Sequence, residues 1–327
     1  MRHLALALLA TAGTSAQAAP QLSSTLSDHA VLQRGSPIPV WGTASPREKI
    51  TVTLGGASKS VTADAKGAWQ VDLPAMQAGG PHALTASSSS GQAVANDVLI
   101  GDVWLCSGQS NMEFPVRRAL NGEGEAQGGA DPHLRLMKVP QQLADVPQRS
   151  FAKVPHWTVA TPGSVSDFSA ACYFMVRELR ASQKVPIGAI DDTWGGTPIR
   201  AWMNEASVRS SGGAQYADMV GLNRSNPTAA IRKFGEEWGA WWRAQTGDAA
   251  GSEPWNSRAG LRWLEVPSLS YWDNWGAEWV KYVGAIWVER MITLTATEAA
   301  QAATLSLSAV DDADQTFVNG VAVGGLN

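Results

Sequence analysis

Apolar residues recur at different spacings along this chain, and those spacings divide it into regions. From Ala19 to about Asn96 the apolar runs are short. Ile50, Val52 and Leu54 alternate with Thr51 and Thr53, the period of a strand with one face on a core and one in water. Val31-Leu32, Ile38 to Gly42, Ile50 to Leu54 and Trp69 to Leu73 are predicted strands. Gly55-Gly56, Asp64 to Gly67 and Gly79-Gly80-Pro81 punctuate them. A small β-sandwich domain over residues 19–96 follows. It clusters no acids, histidines or amides as a catalytic site would, so its expected role is support for the next domain or contact with a glycan.

The pattern changes at Asp97. Val103-Trp104-Leu105-Cys106 is a continuous apolar run, which reads as a buried strand and breaks into Ser107-Gly108-Gln109-Ser110-Asn111. Leu134 to Val139 predicts another strand, closed by Pro140, and a loop runs through His156-Trp157. Ser169 to Ser182 has the helical period, with Cys172, Met175, Val176 and Leu179 on one face. Val185 to Ile190 is a further strand. Strand, crossover helix and strand make the unit of a parallel sheet, whose right-handed connection brings Ser110 and Asp191 to one edge. Ile199 to Ala206 and Ala229 to Trp242 are expected helices, and the α/β domain spans 97–263. Residues 264–327 are β-rich, with strands at Ile286 to Val288, Met291 to Thr295, Thr304 to Ser308 and Thr316 to Gly320. Asn319-Gly320 signals a hairpin with Val321 to Val323 as its return strand, and the chain stops soon afterwards with an unpaired edge.

In open α/β sheets ligands bind beyond the carboxyl ends of the strands. Ser110 at such an end can present a nucleophilic hydroxyl, or it is an ordinary turn or N-cap residue. The second strand end reads Asp191-Asp192-Thr193-Trp194-Gly195-Gly196-Thr197-Pro198. Its paired glycines allow close backbone approach and expose N–H groups, as an oxyanion hole requires, or they form a turn before a helix opening at Pro198. Two polar, glycine-bearing ends on one edge favour a site.

Composition narrows the ligand. A chain of 327 residues with net charge −4 and scattered Lys and Arg offers no basic field for nucleic acid, so a small neutral or weakly anionic substrate is expected. Arg2-His3, the apolar run Leu4 to Ala10 and Ala16-Gln17-Ala18 have the form of a signal peptide, residues 1–18. No later apolar run reaches the length of a membrane span. The mature protein is therefore expected to be exported, to the periplasm or beyond the cell, and free of the membrane. Cys106 and Cys172, the two cysteines, each lie in an apolar segment and are expected as buried core thiols. No histidine and acid cluster has metal-ligand spacing, so neither metal nor cofactor is expected. The tryptophans of the second half could line a sugar platform, although packing is the commoner use of such residues.

Gly108-Gln109-Ser110-Asn111-Met112 and Trp194-Gly195-Gly196-Thr197-Pro198 together resemble the sialate O-acetylesterase family of SGNH-type hydrolases. The resemblance implies an α/β fold: an SGNH-like parallel sheet domain, preceded by a small β-sandwich domain and interrupted by the start of an inserted galactose-binding-like β domain. The segment Leu305 to Gly324, with Asp311-Asp312-Ala313-Asp314 and Phe317-Val318-Asn319-Gly320, resembles the start of that insert. The implied activity is hydrolysis of O-acetyl esters on sugars, sialic acids foremost, by attack of Ser110. Gly196 would help hold the oxyanion, Gln109, Asn111 and Thr197 would position loops or sugar, and Glu113 would orient neighbouring groups. A serine of this kind needs a histidine base. The family draws its histidine and acid from beyond the insert, and this chain holds only His3, His29, His82, His133 and His156. The resemblance therefore implies a C-terminally truncated member without its base. His156, near Asp167 or Asp192, is the one internal alternative, against an ordinary surface-loop histidine. Arg200 is a candidate for a substrate carboxylate, or a solvated helix residue. Within enzymes the alternative is an acetylxylan or other polysaccharide acetylesterase, and outside them a glycan-binding protein without turnover.

Overall fold

The computed structural model describes residues 18–327 except 267, 269, 302, 303, 308, 309, 311–313 and 327. Residues 1–17 of the expected leader lie outside the described residues, as do Asp311, Asp312 and Ala313 of the resembling insert. The chain divides into two units, Met1–Trp202 and Met203–Asn327.

In the first unit β1 (Gln21–Leu22), β3 (Ile38–Thr43) and β6 (Ala68–Leu73) form an antiparallel three-stranded sheet. A longer mixed sheet has the order β10-β9-β11-β8-β7-β4-β5, with β2 (Val31–Gln33) also on β8. Its strands are β4 (Lys49–Leu54), β5 (Ala57–Thr62), β7 (Gly79–Ser88), β8 (Gly91–Gly108), β9 (Asp131–Lys138), β10 (Trp157–Ala160) and β11 (Ile187–Thr193). The alternation at β4 is realised: Ile50, Val52 and Leu54 are fully buried while Thr51 and Thr53 are half-exposed. With Val40, Trp69, Val71, Leu84 and Val98 they make one apolar core between the two sheets. β5 and β7 carry few apolar residues and were not among the predicted strands; pairing with β4 and β8 makes them.

β8 has eighteen residues and serves both halves of the unit. Gly91 to Ile100 pair with β7, Leu99 to Gly101 with β2, and Asp102 to Gly108 with β11. The step between partners needs Gly101, where a Cβ would lie 2.0 Å from the Pro186 carbonyl oxygen. Among the described residues β11 is its one strand partner from Asp102 onward, so the run expected as a buried strand is open on one side: Trp104 and Leu105 are 41% and 65% exposed, and Cys106 alone of the four is buried.

The predicted parallel unit is present but the sheet is mixed. β8, β11 and β9 are parallel, whereas β10, expected as loop, adds an antiparallel edge to β9. The crossover helix α4 (Ala170–Gln183) follows three short helices, α1 (Ser110–Glu113), α2 (Gly122–Gln127) and α3 (Pro162–Ser166). Its buried face, Cys172, Tyr173 and Val176, packs with Leu134, Leu136, Ile187, Ala189 and Cys106 in a second core. That packing overturns the expectation of two thiols. Cys106 at the end of β8 and Cys172 in the first turn of α4 are joined in a disulfide, with Cα atoms 5.9 Å apart. Two apolar cysteine segments that share one core were brought into bonding range by the crossover itself.

The second unit holds α5 (Glu205–Ser210), α6 (Ala214–Ser225), α7 (Pro227–Thr246), α8 (Ala296–Ala299) and the hairpin β12 (Asp314–Val318) and β13 (Val321–Leu326). The helix predicted over Ile199 to Ala206 is instead a 3-10 turn, Ile199–Trp202, followed by α5, because the Asn204 side chain caps α5 by accepting from Ser207 N–H. Asn319 and Gly320 take φ of 50° and 79°, the left-handed turn that Asn-Gly favours. The strands expected at Ile286 to Val288, Met291 to Thr295 and Thr304 to Leu307 are not formed among the described residues; Ser308 lies outside them. Met291 and Ile292 are 83% and 64% exposed, so their apolar character finds no sheet face here. Trp238, Trp242, Trp255, Trp287 and Phe317 pack on one another instead, with Trp255 and Phe317 stacked at 4.6 Å. These five rings form one half-buried packed cluster.

Candidate active site at two parallel strand ends

β8 and β11 finish in register, Gly108 beside Thr193, and Trp194 N–H donates to the Gly108 carbonyl at 2.9 Å. The chain then turns differently on the two strands. After Gly108, at φ 140°, Gln109 is extended and α1 begins at Ser110. Its N–H, at the first helical position, has no intrahelical acceptor. After β11, Gly195 passes so close to α1 that a Cβ on it would sit 3.7 Å from both Cα and Cβ of Ser110 and 2.6 Å from Glu113 Oε2. The two glycine-bearing ends expected to share an edge therefore meet at Ser110.

Hydrogen bonds hold them. Gly195 N–H donates to Glu113 Oε2 at 2.7 Å, and Gln141 Nε2 donates to Glu113 Oε1 at 2.7 Å and to the Thr193 carbonyl at 3.3 Å. Thr197 Oγ1 donates to the Trp194 carbonyl at 2.7 Å and accepts from Trp202 Nε1 at 2.8 Å, which fixes the loop from within. Gly196, at φ 77°, is exposed. Among the described residues its N–H has no acceptor, and the Ser110 hydroxyl and the exposed side chains of Gln109 and Asn111 make no hydrogen bond.

Beneath this surface lies Asp191, fully buried, whose Oδ1 accepts from Thr193 Oγ1 at 2.6 Å while Lys138 Nζ stands 3.9 Å from its Oδ2. Burial raises its pKa against the pull of those partners. Asp192 is raised too, by burial and then by the Asp191 charge. Glu113 was expected to orient neighbouring groups, and it does so by this bridge; Gln141 was not expected. Gln141 follows a predicted strand in polar sequence, and nothing local distinguishes it from loop.

The alternative base is not assembled. His156 is exposed and its side chain joins neither Asp167, which takes Arg117 Nη1 at 2.7 Å, nor Asp192. Arg200 is exposed in the 3-10 turn after the glycine loop. A histidine of the β domain meets an acid just beyond it, at the joint with β9: His29 Nδ1 and Arg135 Nη1 each lie 2.7 Å from Asp97 Oδ2. Burial opposes the Asp97 charge, but these two partners outweigh it and hold the carboxyl below its ordinary value. Sequence distance hid the cluster, since Arg135 arrives from a strand 38 residues away.

No protein-family model matches this chain. It is 31% identical over 227 residues to the sialate O-acetylesterase of Homo sapiens, covering 64% of this chain and 43% of that protein. The Mus musculus sialate O-acetylesterase is 30% identical over 231 residues, covering 64% and 42%. The chain thus spans less than half the length of the curated relatives it matches. A solved structure of a carbohydrate acetylesterase from Xanthomonas citri is 46% identical, with a TM-score of 0.57 over 58% of this chain and 43% of that one. Together with a mixed α/β sheet flanked by helices, this homology supports an SGNH-like esterase superfamily for the chain.

Proposed function

We propose that this chain carries the nucleophile turn of a serine esterase that removes O-acetyl groups from carbohydrates. The observation that carries the reading is the meeting of the two strand ends: an unengaged Ser110 hydroxyl beside Gly195, with the free Gly196 N–H one residue on. Ser110 Oγ attacks the acetyl carbonyl, and the N–H groups of Ser110 and Gly196 hold the oxygen that becomes negative. The sugar hydroxyl leaves with a proton, water attacks the acetyl-serine, and acetate departs. Gln109 and Asn111 reach toward the sugar, while Thr197 holds the glycine loop in place.

O-acetylated sialic acids are the substrate suggested by the relatives named sialate O-acetylesterase. The Xanthomonas citri structure, more similar in sequence, is named only as a carbohydrate acetylesterase, which is equally compatible with a second reading in which acetylxylan or another polysaccharide is the substrate. Export to the periplasm or beyond completes the proposal. The Cys106–Cys172 disulfide supports it, because disulfides persist in oxidising compartments. N-terminal sequencing of exported material should begin at or near Ala19.

The deciding experiment measures acetate release from a generic acetyl ester, an O-acetylated sialic acid and acetylxylan, for the chain and for Ser110→Ala. Turnover lost in the variant supports the reading and ranks the substrates. Sugar binding that survives in both proteins, with no turnover in either, makes it a glycan-binding protein. Because no described residue hydrogen-bonds to the Ser110 hydroxyl, the same assay separates a chain that brings its own base from one that takes it from another polypeptide.

A further inference from the structure

We infer that Glu113 is a positioning residue that selects which amide of the Gly195-Gly196 pair is presented to the reacting carbonyl, an inference that rests on the hydrolytic role proposed for Ser110. Glu113 closes the helix that Ser110 opens. Its two oxygens serve different segments. Oε2 takes the Gly195 N–H and Oε1 takes Gln141 Nε2, which also holds the Thr193 carbonyl. One carboxylate thereby ties α1, the end of β11 and the loop after β9 to each other.

Two consequences follow from the donor count. Gly195 N–H is spent on a carboxylate, and an oxyanion placed against that pair would meet negative charge. The Gly196 N–H has no acceptor, and its left-handed backbone turns the peptide away from its neighbour's direction. Glu113 therefore keeps Gly195 out of the reaction and leaves Gly196 as the donor. The requirement is for a carboxylate, since both partners present N–H groups and only an ionised acid offers two acceptor oxygens. A glutamine at 113 sets amide against amide at Gln141. Reversing Gln141 relieves that clash but surrenders its bond to Thr193.

The test uses the whole ¹⁵N-labelled chain and reads backbone amide exchange at Gly195, Gly196 and Ile190. In the wild type Gly195 should exchange at least ~10-fold more slowly than Gly196. In Glu113→Ala it should reach the Gly196 rate while Ile190 stays protected. Unchanged protection of Gly195 in that variant overturns the inference. If Glu113→Ala does not fold, Glu113→Gln and the pair Glu113→Gln/Gln141→Glu decide: partial loss in the first and recovery in the second support it, and wild-type protection in both overturns it. Kinetics add the functional arm. Where Ser110→Ala abolishes acetate release, Glu113→Ala should lower kcat about 10- to 100-fold with KM within about twofold, as for a misplaced oxyanion donor. A rise in KM at unchanged kcat overturns the role. Should Ser110→Ala leave turnover intact, the hydrolytic reading fails, and the exchange data still decide whether Glu113 holds Gly195.

Discussion

Replacing Cys106 and Cys172 together by alanine removes the covalent tie between the strand that leads to Ser110 and the first turn of α4. The bridge closes a loop with a sequence separation of 66, and both residues are buried, at 4% and 1% exposure. The chain-entropy relation for a loop of that length gives about 4 kcal/mol at 25 °C, lost from the folded state's advantage when the unfolded chain is freed. That is a large fraction of the ~5–15 kcal/mol that separates a domain from its unfolded ensemble. Alanine is the appropriate replacement, because serine would bury two hydroxyls in an apolar core at an added cost of about 1–3 kcal/mol each. With a urea dependence of roughly 2 kcal/mol per molar, the unfolding midpoint of the first unit should fall by about 2 M. Exchange of the β8 and β11 amides, followed against urea, isolates that unit from the tryptophan-rich second one. A midpoint within ~0.3 M of the wild type would refute the reasoning, as would two reactive thiols in the unreduced, unfolded wild-type protein.

Further outcomes test other parts of the molecule. Gly195→Ala puts a methyl 2.6 Å from Glu113 Oε2, so serine-dependent acetate release should drop at least ~10-fold while the urea midpoint moves little. In the second unit buried Glu253 accepts from Arg243 Nη1 at 2.7 Å, Gly251 N–H at 2.7 Å and Asn256 Nδ2 at 2.9 Å. Burial opposes its charge, but these bonds win and lower its pKa from 4.5 to about 2. Its folded form binds the proton more weakly than the unfolded form, so this stability is present above pH 4.5 and lost as pH falls toward about 2. The amount is at most ~3 kcal/mol, and Glu253→Gln should flatten the acid limb of a thermal-denaturation series for that unit. Arg135→Ala leaves Asp97 and His29 without their buried partner and should cost about 2 kcal/mol, discounted for the partial exposure of Asp97, read as a lower urea midpoint.

The elements legible in the sequence were those whose pattern is set by the chain's own burial. Ile50, Val52 and Leu54 announce β4, and Cys172, Val176 and Leu179 announce α4, although Met175 of that expected face is 39% exposed; the run ending at Cys106 is a strand as expected, but not a buried one, since Trp104 and Leu105 are exposed. β5, β7 and β10 were hidden because their pairing, rather than their side chains, makes them strands. The apolar stretches at Ile286 and Met291 misled in the opposite sense, since alternation without a neighbouring strand does not build a sheet. At the candidate site, Ser110 and the glycine pair stood out as polar breaks after apolar strands. Glu113 was read only as orienting its neighbours and Asp191 only as an edge position, and Gln141 was not singled out, because the partners they take lie 28 or more residues away or the burial lies beneath the loop. The disulfide was missed for the same kind of reason: it is a fact about the crossover, not about either cysteine's surroundings in sequence.

The shared strand β8 also sets an order of assembly. Its first half pairs with β7 across a short turn, while its second half must wait for β11, whose sequence is synthesised some eighty residues later. During synthesis the β module can therefore close first and hold Asp102 to Gly108 extended, as a template on which β11 later docks. A cut between residues 96 and 97 would divide one continuous strand, so neither half can be excised as an autonomous piece without exposing a fresh seam. The turn at Ser110 thus takes its position from a strand whose first half the β module holds.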